Sequence, residues 1–133
     1  MSDNDVFGMD SVKDLAGKIK GVVIGDNGAW TKESGDPYPD FEEADVENIK
    51  QAIEEIPKVF HKKARACASS YHGKHILEEW RETHAKGKHQ YISNGCFIIA
   101  MMHKGYIAKP MKKQKKGHYS LNVLINFGML LTG

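Results

Sequence analysis

Between Thr83 and Gly133 the chain holds no aspartate or glutamate, yet it carries Lys86, Lys88, Lys104, Lys109, Lys112, Lys113, Lys115 and Lys116. Four of these, Lys112, Lys113, Lys115 and Lys116, crowd into five residues just before Gly117. Like charges at that spacing repel one another, and the repulsion is relieved when phosphates come near. The chemistry on offer is therefore the grip of a polyanion, with an affinity that falls steeply as salt rises. Two blander readings stand beside it. The turn is simply solvated, or its lysines guard an edge strand against unwanted pairing. The same run also fits a nuclear address.

Other chemistry is thinner. All seven histidines lie after residue 60, with His72 and His75 at i, i+3 and with Cys67, His84, His89, Cys96 and His103 at intermediate spacings. A zinc finger needs compact Cys and His pairs. Here there is no Cys-x-x-Cys and no His pair behind a Cys pair, so neither a metal nor another cofactor is expected. Protonated below about pH 6, these histidines add to a basic surface and tighten polyanion binding. Glu78, Glu79 and Glu82 with His75 have the spacing of an acid–base cluster. It is also the spacing of ordinary helix salt bridges to neighbours such as Lys74, which is the expectation here. Gly25-Asp26-Asn27-Gly28 follows a short apolar run but lacks the Lys-Ser or Lys-Thr of a phosphate loop. No serine or cysteine sits in a nucleophile elbow, and no enzymatic activity is expected.

Charge is strongly divided along the chain. Residues 1 to 57 hold five Lys against fourteen Asp or Glu, a formal −9, and residues 58 to 133 hold fourteen Lys or Arg against three Glu, a formal +11. The net +2 hides this dipole. Such asymmetry points to a polyanionic partner or to an internal acid–base clamp. At 133 residues, 41% apolar and 27% charged, the composition is that of one ordinary globular domain. No apolar run approaches the roughly 18 residues of a membrane span, and Met1 to Lys20 has no signal-peptide pattern. The expectation is an intracellular protein, cytoplasmic, nuclear or virion-associated, with no membrane partner. Cys67 and Cys96 each fall in a helix-like stretch and are expected to be free and buried.

The elements that must position these groups follow from periodicity. Asp10 or Ser11 caps a short helix with Val12, Leu15, Ala16 and Ile19 on one face. Val22-Val23-Ile24 reads as a brief strand and Gly25 to Gly28 as a turn. The stretch from Thr31 to Asp40, with Gly35, Pro37 and Pro39, reads as a loop and a boundary. A helix from about Phe41 to Ile56 carries Val46, Ile49, Ile53 and Ile56 as its apolar stripe, and Pro57 stops it. Lys58, His61, Lys62, Lys63 and Arg65 then surround Val59 and Phe60. Ser69 or Ser70 caps a helix to about Thr83, with Tyr71, Ile76, Leu77 and Trp80 expected inside. Ser93 or Asn94 caps another over Cys96 to Lys104, ended by Gly105. Tyr106-Ile107-Ala108 reads as a short strand, Lys109 to Gly117 as a basic loop, and Tyr119 to Phe127 alternates as a half-buried strand.

From roughly Ala68 to Phe127, the order helix, short loop, capped helix, strand, Lys-rich loop, strand resembles a winged-helix module. Ser93 opening the second helix and Gly105-Tyr106 leading into the hairpin also resemble the small winged domains at the end of some viral and phage primase-helicases. The resemblance implies a second helix in the major groove and a basic hairpin on the phosphate backbone. The residues assign the helices differently. A groove-reading helix presents Arg, Lys, Asn, Gln or Ser outward, whereas Cys96–Lys104 leaves only Asn94, His103 and Lys104 to face out and reads as a core helix. The Ser70–Thr83 helix, with His72, Lys74, His75 and Arg81, is the one free to face nucleic acid.

The expected fold is α+β and mainly helical, three to four helices with a C-terminal β-hairpin in a winged-helix-like layout. Residues 1–40 form an acidic N-terminal segment and 41–133 the domain. The expected function is non-enzymatic binding of nucleic acid, DNA or RNA, with little sequence specificity. Lys86, Lys104, Lys109, Lys112, Lys113, Lys115 and Lys116 would hold its phosphates. The alternative is a structural or assembly protein, such as a small viral component. Its charged halves would meet complementary halves of neighbouring copies, and Phe127 to Leu131 would dock on a partner.

Overall fold

Phe97-Ile98-Ile99-Ala100-Met101 has no polar face to turn toward water, so the rest of the chain has to surround it. The computed structural model describes residues 6–32, 40–112 and 119–130. In chain order its elements are α1 (Met9–Ala16), β1 (Val22–Gly25), β2 (Gly28–Thr31), α2 (Glu43–Val59), β3 (Phe60–Lys62), β4 (Ala68–Ser69), α3 (Ser70–His84), α4 (Asn94–His103), β5 (Ala108–Lys112), β6 (Tyr119–Ile125) and β7 (Phe127–Met129). Every residue of α4 from Asn94 to Met101 is buried, with α1, α2, α3, β1, β2 and β6 packed around it. The fold is α+β. Phe7, Val12, Ile24 and Ala29 share a single core with Ile49, Ile53, Leu77 and Ile125, so the segments on either side of residue 40 are packed into one body.

The apolar stripe Val46, Ile49, Ile53 and Ile56 faces the core as its spacing requires. Pro57, expected to stop α2, instead lies inside it, and the helix runs on to Val59. The proline removes one donor near the helix end, but Ile56, Val59 and Phe60 are all buried and hold the last turn in place. Ser69 caps α3 by accepting from the Tyr71 N–H, and Ser93 caps α4 by accepting from the Cys96 N–H. Ser11 is not the cap of α1. That helix starts at Met9, and the Ser11 hydroxyl reaches back to the Gly8 N–H.

Strands β1 and β2 form a hairpin about Asp26-Asn27, β3 pairs antiparallel with β7, and β4, β6 and β5 form a sheet with β6 at its centre. The sequence places a strand at Tyr106–Ala108 and a loop from Lys109. The structure moves the strand later, so that Lys109, Pro110 and Lys112 are paired with Leu124, Val123 and Tyr119. Pro110 is tolerated because β5 is an edge strand, where a missing N–H costs no interior ladder bond. The alternating segment breaks after Ile125, and β7 leaves to pair with β3. Three burial expectations change as well. Cys67 is exposed outside any helix, Tyr71 is exposed, and Trp80 is half-buried. No helix among the described residues is long and apolar enough to cross a membrane.

Candidate nucleic-acid interface

Asn126 sits between β6 and β7 and is buried. Its amide Nδ2 donates to the Lys63 carbonyl at 2.8 Å, and its Oδ1 accepts from the Ile107 N–H at 2.6 Å. Its backbone repeats both links, donating to the Ile107 carbonyl at 3.2 Å and accepting from the Lys63 N–H at 2.8 Å. One residue thus fastens two segments more than forty positions apart, the end of β3 and the approach to β5. Beneath it, Phe60 meets Phe127 and Phe97 edge-on, with ring centroids 5.0 and 5.7 Å away. That aromatic packing takes Phe60 inward and leaves His61, Lys62, Lys63 and Arg65 exposed.

Around this clip the chain makes room for cations. The Lys62 ammonium lies 5.5 Å from the Tyr106 ring centroid, a cation–π contact worth about 0.5–1 kcal/mol at an exposed site. Burial pushes the Tyr106 hydroxyl above its ordinary pKa, so the ring beneath Lys62 stays neutral to a higher pH than a free tyrosine does. Gly105, at φ +86°, faces the same ammonium, and a Cβ there would come within 2.9 Å of it. Gly128 does the same for His61 and Lys63, whose side chains lie 2.6 and 2.8 Å from where its Cβ would be. Among the described residues, Lys62, Lys63, Arg65, Lys104 and Lys109 have no carboxylate within ion-pair distance.

The lysines singled out in the sequence fall into three groups. Lys104 follows α4 as its C-cap, one residue before Gly105, and Lys109 is exposed on β5, two residues after Ile107. Both therefore flank the Asn126 clip. Lys112 ends β5 opposite Tyr119, while Lys113, Lys115 and Lys116 lie outside the described residues. Lys86 stands apart. It follows α3, whose fifteen residues span roughly 22 Å from Ser70, the residue whose hydroxyl is bonded to β6. The loop after it is tied to α2 by bonds between Gln51 and His89. Lys62, Lys63 and Arg65 were not among the expected site residues. Their signal was the abrupt change of sign after Glu55.

Groups suited to other chemistry are engaged within the fold, apart from the Arg81 Nη2, which has no hydrogen-bond partner among the described residues. Arg81, expected to face outward, is wholly buried: its Nε donates to Glu55 at 2.7 Å and its Nη1 to Asn48 and to the Tyr91 carbonyl. Glu78 accepts from Lys74 and from the Ile92 N–H, and His75 lies 3.1 Å away, which makes it the structural salt bridge anticipated. Asp26, Asp45 and Cys96 bring three ligand-type atoms within 4.8 Å of one another, the one such group among the described residues, and it contains no histidine. Burial raises both the Cys96 thiol and the Asp26 carboxyl above their ordinary pKa values. Helix α4, where a winged helix would read the groove, has no face left for one. The chain matches no protein-family model, no curated protein and no solved structure.

Proposed function

We propose that this protein binds nucleic acid through its phosphates, using the basic surface gathered about Asn126, and that it is not an enzyme. The observation that carries the reading is the clip itself. It holds Lys62, Lys63 and Arg65 beside the segment bearing Lys104 and Lys109, and no described carboxylate neutralises them. Lys112, Lys113, Lys115 and Lys116 follow Lys109 in sequence and are assigned the same role toward phosphate. With contacts to phosphate alone, sequence preference is weak.

The test is the salt dependence of binding to a labelled oligonucleotide. Each neutralised phosphate contributes about 0.7–0.9 to the slope of log K against log salt. Replacing Lys62, Lys63, Lys104 and Lys109 by Gln lowers that slope by roughly 3. Replacing Lys112, Lys113, Lys115 and Lys116 lowers it further. Unchanged affinity and slope in both variants reject the reading.

A second reading, assembly with other copies or a protein partner, has its own observation. Met129 and Leu130 are 54% and 37% exposed and line a small groove with Val59, Ile76 and Trp80. Self-association that salt abolishes, in sedimentation without any oligonucleotide, would favour it over phosphate binding.

A further inference from the structure

The end of α2 borders a surface that the phosphate reading does not use. Val59, Ile76 and Trp80 line a narrow groove there, and Met129 and Leu130 complete its lining. Val59 and Ile76 are buried and Trp80 is half-buried, whereas Met129 and Leu130 are exposed. One face therefore holds both an apolar slot and two apolar side chains in contact with water. At about 170 Å³ the slot is smaller than the roughly 300–1,000 Å³ of a small-ligand pocket, and it suits an inserted side chain.

The exposed pair is held in place by its backbone. The Leu130 N–H donates to the Val59 carbonyl at 2.9 Å, and Met129 pairs with Phe60 across the β3–β7 ribbon. Little ordering is left for a partner to impose, which lowers the cost of binding.

Charge names the partner. Lys58 from α2 and Glu79 from α3 are the ionisable side chains lining the groove. Both are exposed, and neither has an opposite charge within ion-pair distance among the described residues. A phosphate strand would be repelled by the glutamate, and a partner of one charge sign would meet one like charge. A two-fold axis brings each patch against a copy of itself, so it requires a face that is its own complement. Slot with filler, and cation with anion, meet that requirement.

We infer that this face joins two copies of the chain in a weak two-fold dimer. Met129 and Leu130 of each copy enter the groove of the other, and Lys58 of each meets Glu79 of its mate. The inference rests on the assembly reading above and commits it to one partner and one face. Two exposed apolar side chains per copy make a small face beside the roughly 1,600 Å² of a standard interface, so the association is reversible. Lys62, Lys63, Lys104 and Lys109 do not line the groove, and the dimer leaves them free for phosphate.

The experiment is sedimentation of the full chain without oligonucleotide, in a concentration series reaching about 1 mM, the weak end of the affinity scale. The parent passes from monomer to dimer and stops there, because a two-fold contact closes on itself. Met129→Asp, at an exposed position, abolishes the dimer. Lys58→Glu alone and Glu79→Lys alone each weaken it roughly tenfold, since every dimer then holds two like-charged contacts. Mixed in equal amounts, those two variants recover the parent's affinity as a heterodimer, which a folding defect would not produce. Failure of the mixture to recover overturns the two-fold contact. Association that persists in Met129→Asp and vanishes in salt overturns this face and leaves assembly through the charged halves standing. A monomer throughout the series gives the groove to another occupant and overturns both this dimer and assembly with other copies.

Discussion

Arg81 and Lys62 carry the same charge, and the fold treats them in opposite ways. Arg81 lies inside, between α2 and α3, with Glu55, Asn48 and the Tyr91 carbonyl around its guanidinium. Gln51 donates to the second oxygen of Glu55 at 2.9 Å, so the carboxylate is held as well. Lys62 lies outside, over Tyr106, with no carboxylate in ion-pair reach among the described residues. The acidic front and basic back of the chain therefore do meet, but among the described residues they form a buried ion pair only along α2 and α3. An ion pair already closed is structural. Cations left open on the β3 and β5 side are the ones available to a partner.

If the helical pair is purely structural, breaking it should unfold the protein without touching the basic surface. Arg81→Ala leaves the Glu55 carboxylate buried without its cation, which costs about 3–5 kcal/mol, read by chemical denaturation. Replacing both members by methionine recovers most of that loss, because two apolar side chains need no compensation. A double variant no more stable than Arg81→Ala alone would show that the pair does more than neutralise itself.

The next effect is at Asn126. Asn126→Ala strands the Ile107 N–H and the Lys63 carbonyl and costs about 1–3 kcal/mol. It also loosens the link between the end of β3 and the approach to β5, leaving only its two backbone bonds, so oligonucleotide affinity falls in a protein that remains folded. Smaller still are the stability changes at the lysines, about 0.5–1 kcal/mol for Lys62→Gln, which loses the contact with the Tyr106 ring, and within about 0.5 kcal/mol for Lys109→Gln, an exposed position. The opposite ordering, a large stability loss from the lysines and none from Asn126, would contradict the division between closed and open charge.

Much of this arrangement could be read from residue order, and the parts that could not have a common cause. Val46, Ile49, Ile53 and Ile56 mark their helix by spacing, Ser69 and Ser93 mark two helix starts, and the uninterrupted apolar run at Phe97 to Met101 announces a core helix. Each of those signals is local. Asn126 is a single asparagine after a strand, and its importance comes from Lys63 and Ile107, neither of which is near it in sequence. Arg81 looked like a surface cation because the helix pattern does not reveal that Glu55, twenty-six residues earlier, would lie against it. Pro57 misled for the same reason. Its local preference to end a helix is outweighed by the burial of Val59 and Phe60, a tertiary effect.

Asp26 offers a third condition of charge, half-buried and closed by no cation among the described residues. Burial raises its pKa above the ordinary 3.8, and the Asp45 carboxylate raises it further, while hydrogen bonds from Ser93 and Cys96 pull the other way. The sign follows from linkage. At pH well below 3.8 the carboxyl is neutral in both folded and unfolded chains and contributes nothing. As pH rises from there through the higher folded value, the unfolded chain ionises first, and the native state loses stability relative to it. Asp26→Asn removes the ionisation and keeps an oxygen able to accept from the Cys96 thiol. Its stability relative to the parent should therefore be lowest in acid, increase through the carboxylate range, and level off toward neutrality, as followed by denaturation at a series of pH values. A difference that stays constant with pH would mean that Asp26 titrates as an exposed carboxylate does, and that its partial burial beside the start of α4 has no electrostatic consequence.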